Sequence, residues 1–144
     1  MDEEIVELRI VRPETGFDLL LQATLAHSDT YACRLIVAWP AGSPERTFEA
    51  GDFFESLRSF RRVVEAEGYR VLCQGARPNV HPSPMGRDGG GLKAYALVAG
   101  EPGRREELVS IFDPVNDIAP IGTVEEQDAF QRTHRELFQA RAAR

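Results

Sequence analysis

The stretch EIVELRIVRPETGFDLLLQATLAHSDTYACRLIVAW, residues 4 to 39, decides the fold. Val6, Leu8 and Ile10 alternate with Glu7 and Arg9, the period-two pattern of a half-buried strand over Glu4 to Val11. Arg12-Pro13-Glu14-Thr15-Gly16 is a turn. Phe17 to His27 alternates again through Phe17, Leu19, Leu21, Ala23 and Leu25. After His27-Ser28-Asp29, a third strand from Tyr31 to Trp39 sets Tyr31, Cys33, Leu35, Val37 and Trp39 on one face. Connections this short cannot carry a parallel crossover, so the pattern predicts an antiparallel meander.

Working outward, Pro40 to Pro44 breaks the sheet, and Phe53 to Glu67 has the clearest helix boundaries. Asp52 is an N-cap with Glu55 three residues on, and Gly68 stands where a left-handed C-cap is expected. Phe53, Leu57, Phe60 and Val64 form the stripe that packs on the sheet, while Arg58, Arg61, Arg62 and Glu65 read as a solvated face. Tyr69 to Gly75, Leu92 to Ala99 and Leu108 to Phe112 are three further strands. A last helix starts after Gly122, with Thr123 and Glu126 as a capping box, and its thin apolar stripe runs toward Arg144. That helix is expected on the edge of the fold, its end fraying, or completing its burial against another chain, which makes it the route to an oligomer. The expectation is a single α+β domain over residues 1 to 144, mostly antiparallel sheet, in the order βββαβββα with a long loop between strands 4 and 5.

Composition bounds the function. A chain of 144 residues with 42% hydrophobic and 28% charged residues is ordinary globular material, long enough to bury roughly two thirds of its unfolded surface. The longest apolar runs, around Leu19 to Leu21 and Leu35 to Trp39, fall far short of the ~20 residues that cross a bilayer. Met1-Asp2-Glu3-Glu4 is the opposite of a basic leader, so a cytoplasmic location is expected. Cys33 and Cys73 are expected as free thiols. Charge is uneven: residues 1 to 57 carry a balance of −7, residues 58 to 93 a balance of +4, and the whole chain −6. An acidic chain does not neutralise phosphates, which argues against nucleic acid and suits a basic protein partner.

The segment CQGARPNVHPSPMGRDGGGLKAYAL, residues 73 to 97, is rich for a connector, since loops beyond about 12 to 15 residues are usually functional or disordered. It holds His81, the only lysine, Lys93, and the run Gly89-Gly90-Gly91. A binding surface is expected here, with Arg77, Asn79, His81, Met85, Arg87, Asp88 and Lys93 as its contact residues. Cys73 and His81 are the only candidates for an activated nucleophile, and no orienting third residue follows them. The triglycine leads into a strand and lacks the setting of a phosphate loop. Asp113 and Asp117, beside Glu125 and Glu126, are explained by turn chemistry and the helix dipole. His27 and His134 carry no ligand spacing. No catalytic residue, metal site or cofactor is therefore expected.

Gly91-Leu92-Lys93-Ala94-Tyr95, Ile111-Phe112-Asp113 and Gly122-Thr123-Val124-Glu125-Glu126-Gln127 resemble small uncharacterised actinobacterial immunity-type proteins found beside polymorphic toxins. The resemblance covers roughly the C-terminal half and assigns no site. It implies a noncatalytic protein that neutralises a toxin by stoichiometric binding, the partner being a toxin domain with a basic cleft. Two other classes stay open: a small-ligand or regulatory module holding an anion with the Arg77 to Arg87 loop, and an enzyme of unrecognised constellation.

Overall fold

In the computed structural model, which describes residues 3 to 40 and 43 to 143, the meander forms as its alternation requires. Strands β1 (Glu4–Val11), β2 (Asp18–His27) and β3 (Cys33–Ala38) pair antiparallel, with Leu8 opposite Leu21 and Leu25 opposite Leu35. Leu8, Ile10, Leu21, Ala23, Leu25, Cys33, Leu35 and Val37 all point into one core. Tyr31 does not join that face; it is exposed, at a positive φ of 63° in the turn before β3. Phe17 is exposed as well, because β2 begins only at Asp18.

A fourth strand follows where the sequence pattern shows only a break. β4 (Arg46–Ala50) pairs with β3 and brings Phe48 opposite Leu35. It has a single buried residue, too little to register as alternation. Ala41 and Gly42, within the expected break, lie outside the described residues, as do Met1, Asp2 and the last residue of the expected fraying end, Arg144.

Helix α1 (Phe53–Ala66) lays Phe53, Phe54, Leu57, Phe60 and Val64 against this sheet. Phe60 meets Phe48 edge-on at 5.6 Å and lies 6.0 Å from Trp39. Asp52 caps the helix by accepting from the Glu55 N–H at 2.9 Å, and Gly68 takes a φ of 90° beyond its end. The chain then adds β5 (Arg70–Val71) beside β1, giving a five-stranded antiparallel sheet in the order β4-β3-β2-β1-β5.

The three later strands form a second, smaller sheet: β6 (Val80–His81), β7 (Lys93–Ala96) and β8 (Leu108–Ser110), in that order. Val80, Ala94, Ile111 and Phe112 join the same core as the first sheet. Both sheets are antiparallel, and the architecture is α+β as the sequence predicts. Residues 73 to 97 are more built than a loop. They contain a 3-10 turn (Gln74–Ala76), β6 and the short helix α2 (Pro84–Asp88), capped by the Ser83 hydroxyl. The last helix, α3 (Val124–Ala142), has the expected capping box between Thr123 and Glu126.

The solvated face expected for α1 is half wrong. Arg61 is fully buried, and Arg58 is only 7% exposed. The reason is α3, which crosses this face and brings its own polar groups. Arg61 donates to Glu65 Oε2 (3.2 Å), Gln127 Oε1 (2.7 Å) and the carbonyls of Gly75 (3.2 Å) and Gly122 (3.1 Å). Gln127 in turn donates to the carbonyls of Gly75, Arg77 and Val80. Glu65 accepts from the Val124 N–H at 2.9 Å, so one network ties α1, the 73 to 80 segment and the start of α3. Burial lowers the Arg61 pKa and the adjacent Glu65 opposes that shift, and four of the five guanidinium N–H groups are bonded.

Candidate functional site

The 83 to 91 segment is clamped to the N-terminus of α1. Phe53 N–H donates to the Gly90 carbonyl at 2.7 Å, and Gly91 N–H closes back on the Gly86 carbonyl at 2.8 Å. Arg87 reaches Asp52 Oδ2 at 3.2 Å and Glu55 Oε1 at 3.3 Å, its guanidinium 5.1 Å above the Phe54 ring. Asp52 thus serves two elements, capping α1 with one oxygen and holding α2 with the other. Gly91 must be glycine: its φ is 70°, and a Cβ there would sit 2.9 Å from Asp52 Oδ1.

His81 sits under α2, buried, packed 6.0 Å from Phe54 and stacked 6.1 Å from Phe130 of α3. Its Nε2 lies 3.0 Å from the Pro78 carbonyl, which can only accept, so the neutral ring carries its proton on Nε2 and leaves Nδ1 as an acceptor. Burial pushes its pKa down to about 4, with Arg58 and Arg87 adding to the effect. The ring is neutral throughout the physiological range.

A cleft of about 400 Å³ opens where α1, α2, β6 and α3 converge. Arg58, Arg87 and Arg135 line it together with His81, Asp128 and Gln131. Arg58 Nη2 donates to Asp128 Oδ1. Partial burial of Asp128 would raise its pKa, but the bond and charge of Arg58, helped by Arg62 and Arg132, outweigh it and hold the carboxyl below its ordinary value. Arg58 Nε has no hydrogen-bond partner among the described residues, since Glu55 Oε1 stops at 3.8 Å. Gln131 Oε1 is likewise buried without a donor.

The contact residues named from sequence therefore separate. His81 and Arg87 share this cleft. Met85 stands beside them on α2, 83% exposed, with Asp88 also exposed at the helix end. The others serve elsewhere. Arg77 bonds Gln74 Oε1 at 2.8 Å and stands among the groups that receive α3; Asn79 donates to the Leu97 carbonyl at 3.1 Å across the small sheet. Lys93 bonds Ser110 Oγ at 2.9 Å and borders a different hollow, beside Glu4 and Phe112. Sequence reasoning missed Arg58, Asp128, Gln131 and Arg135. The signal was present in the spacing of 128, 131 and 135, one face of a helix, but its partners lie some seventy residues away in α1.

The nucleophile candidates do not meet. Cys73 is fully buried, its thiol pushed up to about 11 by burial, and Cys33 is also buried and raised. Neither offers a thiolate at neutral pH. Asp117 caps the Ala119 N–H and Glu126 belongs to the capping box. Among the described residues no group of three or more His, Cys, Asp or Glu is placed to hold a metal ion, and no helix is long and apolar enough to cross a membrane. No family model matches the chain, and no curated protein matches it.

Proposed function

We propose that this chain is a noncatalytic binding protein that engages a protein partner stoichiometrically through the surface around α2. The observation that carries the reading is Met85: an 83% exposed apolar side chain on a segment held down by Ser83, Asp52, Glu55 and the Phe53 amide. An apolar side chain presented on pre-ordered backbone binds with little loss of chain entropy, and a thioether adapts to the pocket that receives it. The acidic balance of residues 1 to 57 steers a basic partner toward the molecule. The narrower reading, an immunity protein acting in the cytoplasm against a toxin domain with a basic cleft, rests on the resemblance of the Gly91 to Tyr95, Ile111 to Asp113 and Gly122 to Gln127 motifs. Self-association through α3 belongs to the same proposal, because Leu137 and Phe138 near its end are 48% and 42% exposed.

The test is parallel affinity capture, with the wild-type chain and Met85→Glu as baits, from extract of the cells that express the protein. The reading predicts one protein retained by wild type in equimolar amount and lost with Met85→Glu. Equal retention by both baits, or none by either, contradicts it. Co-expression then separates the narrower claim: a retained protein that is toxic alone and harmless with this chain supports immunity, and a harmless one removes the toxin while leaving the binding.

A further inference from the structure

We propose that the cleft between α1, α2 and α3 binds a small molecule that carries a carboxylate or phosphate oxyanion with an N–H or O–H donor beside it. This site does not depend on the protein partner proposed above.

Arg58, Arg87 and Arg135 line the cleft with the carboxylates of Glu55 and Asp128, and Asp52 holds Arg87 from beside it, so Arg58 and Arg87 are each paired and Arg135 is the guanidinium left over. Arg58 is more than nine-tenths buried, with one nitrogen committed to Asp128 and its Nε–H facing no acceptor within hydrogen-bond reach. A buried donor left unmade is costly, and a cationic donor more so. Arg135 is exposed and makes no ion pair among the described residues, which leaves its planar fork free to close on an oxyanion from the solvent side.

The second half of the ligand follows from Gln131. Its amide oxygen is buried with no donor among the described residues, and Gln131 and Arg58 line the same cleft. One stranded donor and one stranded acceptor in a single cleft call for a ligand with the reverse pair: an anionic oxygen for Arg58 and an adjacent N–H or O–H for Gln131. His81 Nδ1, an acceptor left over after the Pro78 contact, is a further place for that donor. Chloride would answer only the arginines. The volume, about 400 Å³, suits a metabolite of a few carbons rather than a bare ion.

The experiment is a titration of the full-length chain followed by the ¹⁵N–¹H signals of arginine Nε–H and glutamine side-chain amides. The probes are L-glutamate, inorganic phosphate, acetate and, at matched ionic strength, chloride. The inference predicts saturable shifts at Arg58 and Gln131 with glutamate and phosphate, about tenfold tighter than with acetate, which has the oxyanion without the donor. Arg135→Ala, an exposed change that leaves the Arg58–Asp128 pair in place, should weaken glutamate and phosphate by about tenfold or more. Gln131→Leu should bring glutamate down to the acetate level while acetate is unchanged. Shifts reproduced by chloride, or affinities indifferent to Arg135→Ala, would overturn the site. A glutamate preference that survives Gln131→Leu would overturn the donor half of the ligand.

Discussion

Arg61 holds together segments that the sequence keeps more than sixty residues apart. Removing one member of such a buried network leaves the others without partners, so Arg61→Ala should cost ~3 to 5 kcal/mol in chemical denaturation, with Arg61→Lys recovering only part because it loses the planar fork. A loss under about 1 kcal/mol would mean the network contributes nothing net. His81 gives a prediction with a defined pH window. Its folded pKa of about 4 lies below the ordinary 6.5, so between these values the unfolded chain binds a proton that the folded chain does not. Stability from this group is therefore complete above pH 6.5 and falls as pH drops toward 4, a loss on the order of 3 kcal/mol. Urea denaturation at several pH values should show a wild-type slope steeper than that of His81→Gln over this range. Parallel slopes would place His81 in contact with water. Neither residue was legible as buried: Arg61 lies on the polar face of α1, and His81 follows an asparagine and a valine in a segment with no periodicity. Long-range packing removes them from solvent: α3 crosses over Arg61, and α3, α2 and Phe54 together cover His81.

At the scale of elements, periodicity told most where elements are long. The eight- and ten-residue strands β1 and β2, the fourteen-residue α1 and both helix caps follow from alternation, stripe and capping residues. Phe60, fully buried beneath Phe48 and Trp39, should accordingly cost ~3 to 5 kcal/mol on Phe60→Ala, and a cost below about 1 would move the stripe to the surface. The short pieces were legible only in part. β6 has two residues and α2 five, too few for any period to show, and the strand expected over Tyr69 to Gly75 shrinks to the two residues of β5 because the chain turns at Gln74–Ala76. β5 is held by β1 and β6 by β7, while α2 is held by the start of α1. Gly91 is the point where that dependence can be measured. Gly91→Ala would force a side chain into a positive φ and against Asp52, and should cost ~1 to 3 kcal/mol while detaching α2 from the α1 cap. The checks are denaturation together with loss of protection at the Phe53 amide, which now donates to Gly90. An unchanged midpoint would show that the clamp yields freely.

Across the whole molecule, one core serves two antiparallel sheets, and α3 locks the second sheet and its connecting segment onto α1. Asp52 and Glu55, at the end of the acidic first half, meet Arg87 of α2 from more than thirty residues away and neutralise part of it. Of the residues named from sequence, Arg87, His81 and Met85 lie together around α2, while Arg77, Asn79 and Lys93 bond Gln74, the Leu97 carbonyl and Ser110 elsewhere. Both functional proposals need residues 83 to 91 to be ordered before anything binds. Native-state hydrogen exchange on the free chain reads that directly at Gly86, Gly89, Gly90 and Gly91, whose amides bond Ser83 Oγ and the carbonyls of Met85, Arg87 and Gly86. The account predicts exchange at these four amides about a hundredfold or more slower than an unstructured chain; exchange within about threefold of the unstructured rate would make the segment a mobile loop and contradict it.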